Sequence, residues 1–454
     1  MSSTSLSAAR VARFHAQESA RFLADHPRCA ALHQQAQRHF LFGVPMHWMA
    51  DAPSPVPLYV DRAQGARLFD VDGHAIIDFC LGDTGAMFGH SPAAIARTLA
   101  EQGALGATTM LPSTVALDVA DLLERRFGLP MWQFTATASD ANRFVLRWAR
   151  ALTGRKHIVV FNGCYHGTVD DVFVDLDPSG TTHTRPSLLG QVVDLTTHTR
   201  VVEFNDLDGL RSALAAGDVA CVLTEPVLTN IGMVLPEPGF LDAVRQLTRE
   251  HGALLVMDET HTLSCGPGGY CRANGLQPDV LILGKPMAGG TPGATYGFTT
   301  EVGARMQAVK AAAAPGHSGI GTTLSAGLLT LRLMRTMLAE VMTDAAYAHM
   351  FAIAEQVACG LERVIEDHGL RWTVTRIGAR CEVQFAAQRP RNGSEARAAF
   401  DDALEPALQL ALINRGVLLT PFHNMLLASP AHTQADADAL IHAFDDALQT
   451  LKSA

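Results

Sequence analysis

Lysine is the scarce residue of this 454-residue chain. It occurs only at positions 156, 285, 310 and 452, and the other 31 of the 35 basic side chains are arginine. A lysine kept only for surface charge can be replaced by arginine. An amine that must lose its proton and attack a carbonyl cannot, because guanidinium stays protonated. Other shortages exclude whole classes of function. The eight cysteines contain no C-x-x-C pair, which removes a zinc ribbon or a disulfide framework and leaves reduced, mostly buried thiols, with no metal site expected. No run approaches twenty apolar residues, so no membrane span is expected. No block of like charge forms a tail, and a net charge of −10 speaks against nucleic acid or an anionic membrane as the main partner. The first 27 residues lack the apolar core of a secretory signal. Their serine and arginine content gives a faint transit-peptide character that Glu18 and Asp25 oppose, so the cytoplasm is the default location. Internal repeats and low-complexity tracts are also missing.

What is present is an enzyme-sized chain, 48% hydrophobic and 18% charged, long enough for two or three subdomains. Residues 5–41 carry apolar positions at helical spacing, broken near Pro27. The proline-rich stretch 43–60 leads into a strand, and "GARLFDVDGHAIIDFCLG" reads as a hairpin turning at Asp72-Gly73. From about 95 to 300, helical stretches (114–127, 140–153, 239–252) alternate with the aliphatic runs "HIVVF", "VACVLTEPV", "ALLVMDE" and "VLILGK". That alternation predicts an α/β fold with a mostly parallel sheet covered on both faces, in which chemistry collects at the carboxyl ends of the strands. Glu225, Asp258 and Lys285 each stand where one of these runs ends. A long helical segment from 324 to about 366, shorter α/β elements and a helix at 434–451 predict a second, smaller α/β domain. The expected division is 1–75 as an N-terminal helical segment and strand joining the small domain, 76–330 as the large domain, and 331–454 as the C-terminal small domain.

Lys285 lies in "VLILGKPMAGGTPGA" (280–294), between an apolar run and a glycine-rich turn. Taken alone it could be a structural lysine at a strand end. Asp258, 27 residues earlier at the end of the preceding apolar run, changes the balance. A carboxylate buried there needs a cation opposite it to stay ionised, and a protonated pyridine nitrogen would serve. An amine and a carboxylate on neighbouring strand ends are what pyridoxal phosphate requires: the amine for a Schiff base, the acid to keep the ring nitrogen protonated.

"LLVMDETHT" followed by "PDVLILGKPMAGGTPGA" resembles the signature of the class III aminotransferases, of the fold type I pyridoxal-phosphate enzymes. Supporting blocks are "LFDVDGHAIIDF", "GAMFGH", "FTATASDANRFVLRWARALTGR", "FNGCYHG", "EPVLTN", "TTLSAG" and "SPAHTQAD". The resemblance covers roughly residues 43–445 and is nearest to glutamate-1-semialdehyde aminomutase and the β-amino-acid aminotransferases. It implies a large domain built on a seven-stranded, mostly parallel sheet between helices, and a homodimer with active sites at its interface. Lys285 would bind pyridoxal 5′-phosphate and carry protons, Asp258 would pair with the pyridine nitrogen, and Tyr165 would lie against the ring; an ordinary half-buried tyrosine is the plain alternative. Thr137, Ala138 and Ser139 would meet the phosphate at a helix N-terminus, although serine or threonine before a helix is usually a cap. Thr323 would reach the phosphate bound by the neighbouring subunit. Asn230 takes the place of an asparagine near the phenolic oxygen, and Glu225 is either part of the site or a supporting acid. His166 reads as structural rather than catalytic.

Departures from the family bear on substrate. Thr260 and His261 stand where relatives carry a valine that packs on the ring and its neighbour, and Leu263-Ser264-Cys265 replaces Gly-Phe-Arg. "PMHWM" and "TPFHNM" offer His47, Trp48, His423 and Asn424 rather than an arginine fork for a carboxylate. The expected function is a ping-pong aminotransferase taking an amino acid or amine donor and a keto acid or aldehyde acceptor. Its rivals are an aminomutase or racemase with the same cofactor, and a binding protein without turnover.

Overall fold

A computed structural model describes residues 7–454. The chain divides into two compact units. One comprises residues 7–92 together with Ala345–Arg389 and Ala399–Ala454; the other comprises Ala93–Asp344 and Pro390–Ala398.

The larger unit is built on seven strands: β1 (Met131–Thr135), β2 (His157–Phe161), β3 (Thr199–Val202), β4 (Val219–Thr224), β5 (Leu254–Asp258), β6 (Val280–Leu283) and β7 (Ala294–Phe298), in the spatial order β1-β7-β6-β5-β4-β2-β3. β7 runs antiparallel to both its neighbours, and the pairings from β6 through β3 are all parallel. The aliphatic runs are continuous because both sheet faces are covered. Every residue of β4, β5 and β6 is buried. On one face, Ile158, Val160, Val256 and Ile282 share a core with Phe144, Val145 and Trp148 of helix α1 (Ala138–Thr153). Facing the other way, Phe161 meets Phe204 and Phe240 edge-on, with ring centroids 5.2 and 5.7 Å away. The α/β class is that expected from the alternation, and the seven-stranded, mostly parallel sheet is that implied by the resemblance.

The smaller unit holds a four-stranded sheet, whose hairpin pairs Arg67–Asp70 with Ala75–Asp78, and a three-stranded antiparallel sheet. Gly73 supplies the turn with φ of +100°. Its core joins Phe14, Phe79, Ile353, Leu361, Leu408, Leu440 and Phe444. Among the described residues, no helix is long and apolar enough to cross a membrane.

The division differs from the sequence expectation at three places. Residues 76–92 belong to the smaller unit because Phe79 is in its core and pairs through its carbonyl with Leu427 N at 2.8 Å. Residues 331–344 stay with the larger unit, where Leu331, Leu333, Met334 and Met337 are buried and Thr336 bonds Thr98 at 2.8 Å. Residues 390–398 return to it as well, since Gly393 N donates to Glu203 at 3.0 Å and Asn162 bonds Ser394 at 3.1 Å. Each exception depends on a tertiary partner far away in sequence.

One glycine in the sheet is sterically required. Gly297 of β7 pairs with Trp132 of β1, and a Cβ there would fall 2.6 Å from the indole ring. The tryptophan covers the bare backbone, a cross-strand contact that only glycine permits. Gly297→Ala is expected to destabilise the protein by about 1–3 kcal/mol through overpacking, read as a lower urea midpoint; an unchanged midpoint would show that the indole moves aside freely.

Candidate active site

Parallel pairing of β5 with β6 brings the two residues singled out by the sequence to the same sheet edge. Asp258 ends β5 in register with Ile282, and Lys285 follows two residues after β6 ends. Lys285 has a φ of +45°, in the left-handed region that a lysine rarely occupies. Strain of this kind is tolerated where the surroundings over-determine the backbone, and it clusters at functional positions. Gly284 explains part of it: a Cβ there would lie 2.7 Å from Ala138 Cβ, so the lysine turn is pressed onto the start of α1.

Asp258 is 4% exposed and accepts four hydrogen bonds. Oδ2 receives Asn142 Nδ2 at 2.9 Å and His166 Nδ1 at 3.0 Å; Oδ1 receives Thr260 N at 3.1 Å and Thr260 Oγ1 at 2.7 Å. Burial alone pushes the carboxyl up, but the bond and charge of His166, then Thr260 and Asn142, hold it down at about 2. Burial likewise works against the His166 cation, yet the Asp258 bond lifts the imidazole to about 10. The counter-charge left by the sequence reading to a pyridine nitrogen is therefore supplied in part by the protein. His166 supports the site electrostatically as well as structurally. Neither Asn142 nor His166 stood out as a partner of Asp258. For Asn142 a signal existed, since it lies one helical turn after Ala138 on the same face of α1.

At the start of α1, Thr137 is the N-cap. Its hydroxyl accepts from Asp140 N at 3.1 Å and donates to Asp140 Oδ2 at 3.0 Å. Ser139 Oγ accepts from Thr168 N at 3.1 Å, which leaves its hydroxyl proton for an anion. A Cβ on Gly167 would fall 2.1 Å from Ser139 Oγ, so backbone closes on this turn from two sides, at Gly167 and at Gly284. Between buried Cys164 and His166, Tyr165 is 39% exposed.

A second polar cluster meets Lys285 from the β4 side. Lys285 Nζ lies 2.5 Å from His261 Nε2, His261 Nδ1 lies 2.6 Å from Thr229 Oγ1, and the Thr229 hydroxyl donates to Glu225. Asn230 Nδ2 reaches Glu225 Oε1 at 3.4 Å. Burial raises Glu225 to about 7 against the opposing effects of His166 and Thr229. Thr229 went unremarked in the sequence, though it lies in the same "EPVLTN" block as Glu225 and Asn230. Thr323 is exposed on the loop between residues 313 and 327, outside both clusters. Leu263 and Ser264 are fully buried and Cys265 partly so. In the smaller unit His423 is buried against Glu382 at 3.1 Å, while Trp48 packs edge-on to Phe422.

Comparison with known proteins places this geometry in a family. The family model "Aminotransferase class-III" matches residues 48–449. The chain belongs to the class III aminotransferases. It is 32% identical over 405 residues to a glutamate-1-semialdehyde 2,1-aminomutase of Chloroflexus aggregans, across 87% of this chain and 91% of that one. A solved glutamate-1-semialdehyde aminomutase of Pseudomonas aeruginosa PAO1 is 49% identical, with a TM-score of 0.96 over 98% of this chain and 99% of that chain. A lysine-to-alanine form of the Pseudomonas protein was solved in complex with PMP. An omega-transaminase of Sphaerobacter thermophilus is 28% identical, with a TM-score of 0.84 over 93% and 98%. Class III aminotransferases depend on pyridoxal phosphate, and this chain is an enzyme of that chemistry.

The residues present fit that cofactor. An ionised buried carboxylate suits a ring N–H, the strained lysine follows the end of the neighbouring strand, and a helix N-terminus with a serine hydroxyl and close glycine backbone suits a phosphate.

The buried Asp258–His166 pair gives this class III aminotransferase a defined pH response. His166 is raised, so its contribution is full below pH 6.5 and fades as pH rises toward about 10; Asp258 is lowered, so its contribution fades as pH falls from about 4 toward 2. His166→Gln is expected to cost about 3–5 kcal/mol near pH 6, with the deficit narrowing toward pH 10. Urea denaturation of both forms at pH 6 and 9.5 checks this, and a deficit equal at both values would show that the imidazole is held neutral.

Proposed function

We propose that this enzyme is an aminotransferase that moves an amino group from an amino acid or amine donor to a keto acid or aldehyde acceptor, with Lys285 as the attachment point for the cofactor. The observation that carries this reading is a lysine at positive φ beside a buried carboxylate kept ionised by four donors. When bound, pyridoxal phosphate supplies a ring that withdraws electrons from the carbon bearing the donor's nitrogen, once that nitrogen is joined to the cofactor. Asp258 then holds a proton on the ring nitrogen, and the His166 charge keeps Asp258 ionised. Ser139 and the first N–H groups of α1 anchor the phosphate, while Thr137 and Ala138 shape that turn. Tyr165 offers an aromatic face, Thr260 fixes the orientation of the Asp258 carboxylate, and Asn230 with Glu225 lines the β4 side. Lys285 removes a proton from the donor and returns it.

The homodimer belongs to the same proposal. Met110, Leu111 and Leu324 are 78, 72 and 60% exposed, on two segments joined by a bond from Leu329 N to Ala107 O at 3.0 Å. Such an apolar patch calls for cover, and Thr323 stands within it, suited to complete a partner's phosphate site. A cytoplasmic location suits eight cysteines that are not joined in disulfides.

A second reading, aminomutase, is favoured by the 49% identity to the Pseudomonas aeruginosa protein. The two separate in half-reactions. An aminotransferase mixed with donor alone releases a keto product and accumulates the amine form of the cofactor, whereas an aminomutase returns the amino group to the same carbon skeleton. Purified protein should take up pyridoxal phosphate and show a visible absorption band that is lost in Lys285→Ala. A wild-type protein that binds none would overturn both readings.

A further inference from the structure

The hairpin of the smaller unit gathers metal-ligating side chains that the candidate active site does not use. Asp70 and His74 flank its turn, and His26 stands between the helices Ala8–Asp25 and Pro27–Ala36. His26 Nε2 lies 3.3 Å from Asp70 Oδ2, and His74 Nδ1 lies 2.8 Å from the same oxygen. One ligating atom from each of the three residues lies within 4.8 Å of the other two. His26 and Asp70 are 4% exposed, whereas the His74 side chain is 43% exposed. No cysteine pair announces this group, because its members are His26 of "HPRC" and Asp70 and His74 of "DVDGH".

The hydrogen bonds around the group fix how its atoms face. His26 Nδ1 lies 2.8 Å from the carbonyl oxygen of Phe22, which can only accept, so Nδ1 carries a proton. Phe22 also stacks on the imidazole, with ring centroids 4.0 Å apart, and holds its plane. A neutral His26 then turns its Nε2 lone pair toward a buried carboxylate oxygen. Asp70 Oδ1 is engaged by His74 N at 2.7 Å, which leaves Oδ2 to the two rings. Lone pairs that converge out of water need a positive charge between them. An imidazole that ligates a metal typically gives its other N–H to a backbone carbonyl, as His26 does.

We propose that His26, Asp70 and His74 bind a zinc-type divalent ion through Nε2, Oδ2 and Nδ1. Bonds of about 2.0–2.2 Å set tetrahedral ligand atoms about 3.3 Å apart. The His26–Asp70 pair has that separation, and the half-exposed His74 has room to open to it. Two imidazoles and a carboxylate suit zinc rather than magnesium or calcium, which take oxygen ligands. Three protein ligands leave a fourth position for water on the exposed His74 side. Cys29 and Asp72 also approach Asp70 closely enough to ligate. They are engaged elsewhere: Asp72 accepts from Arg28 N at 2.7 Å and Cys29 N at 3.0 Å, and Cys29 Sγ accepts from Tyr59 N at 3.4 Å. The imidazoles, not the thiol, are therefore the ligands. The ion pins the junction of two N-terminal helices onto the hairpin.

The test uses the holoenzyme, treated with EDTA, desalted and titrated with zinc or with cobalt(II), whose ligand-field bands are visible. Wild type should retain one zinc per chain through gel filtration, and zinc should abolish the tetrahedral cobalt bands. His74→Ala removes a half-exposed ligand, and its zinc affinity should fall by more than the about 10–100-fold that loss of an outer partner costs. His26→Gln should do the same; if it does not fold, His74→Ala decides. Zinc should raise the urea midpoint of wild type and leave that of His74→Ala unmoved. Cys29→Ala should bind zinc as wild type does. A wild type that retains no zinc, or equal affinity in His74→Ala, would sink the site and leave His26 and Asp70 as a simple ion pair. Loss of zinc from Cys29→Ala would refute the choice of ligands.

Discussion

The constraint on which the site depends is an ionised carboxylate kept out of water. A bare carboxylate at the end of β5 would protonate, since desolvation of a charge costs far more than a neutral acid does. Asp258 avoids this through four donors drawn from three places: Asn142 on α1, His166 on the loop after β2, and its own neighbour Thr260. Each donor ties a different segment to the sheet edge. The electrostatic requirement therefore positions the helix N-terminus and the Tyr165 loop as well. Removing one donor disturbs geometry along with charge, because the loop that presents His166 also presents Tyr165 and Gly167.

The lysine is held by a constraint of another kind. Its left-handed backbone is fixed by contacts on either side: Gly284 fits against Ala138 only without a side chain, and Pro286 begins a 3₁₀ turn that closes at Gly289, with φ of +65°. Glycine beside the lysine permits close approach, and proline after it fixes φ and limits the preceding residue. The backbone thus fixes where the side chain leaves the turn, and the contact with His261 holds the amine at its end.

Much of this was legible in the sequence because it follows from order along the chain. Aliphatic runs alternating with helices identified the parallel sheet, and polar residues at the ends of those runs marked Glu225, Asp258 and Lys285. What could not be read depends on groups that meet only after folding. The positive φ of Lys285 has no sequence signature, since glycine and proline flank many ordinary turns. The second partner of Asp258 was not legible for the same reason: His166 is 92 residues away and its imidazole is as compatible with a plain structural role. Thr137, by contrast, behaves as local rules for helix starts require, with its hydroxyl engaged at the cap. The unit boundaries moved where a distant partner, such as Glu203 for Gly393, overrode chain continuity.

The two buried acids of the site are driven in opposite directions by the company they keep. Asp258 and Glu225 lie at the ends of neighbouring parallel strands and are similarly buried, yet one is held at about 2 and the other raised to about 7. Asp258 has a histidine cation and three further donors; Glu225 has the hydroxyl and backbone N–H of Thr229 and a long contact from Asn230, with no cation bonded to it. Where environment separates two like groups this far, it assigns them different work. The strongly solvated-by-protein carboxylate is a permanent charge that can polarise a ring without titrating. The poorly solvated one sits where a proton can be taken up and released.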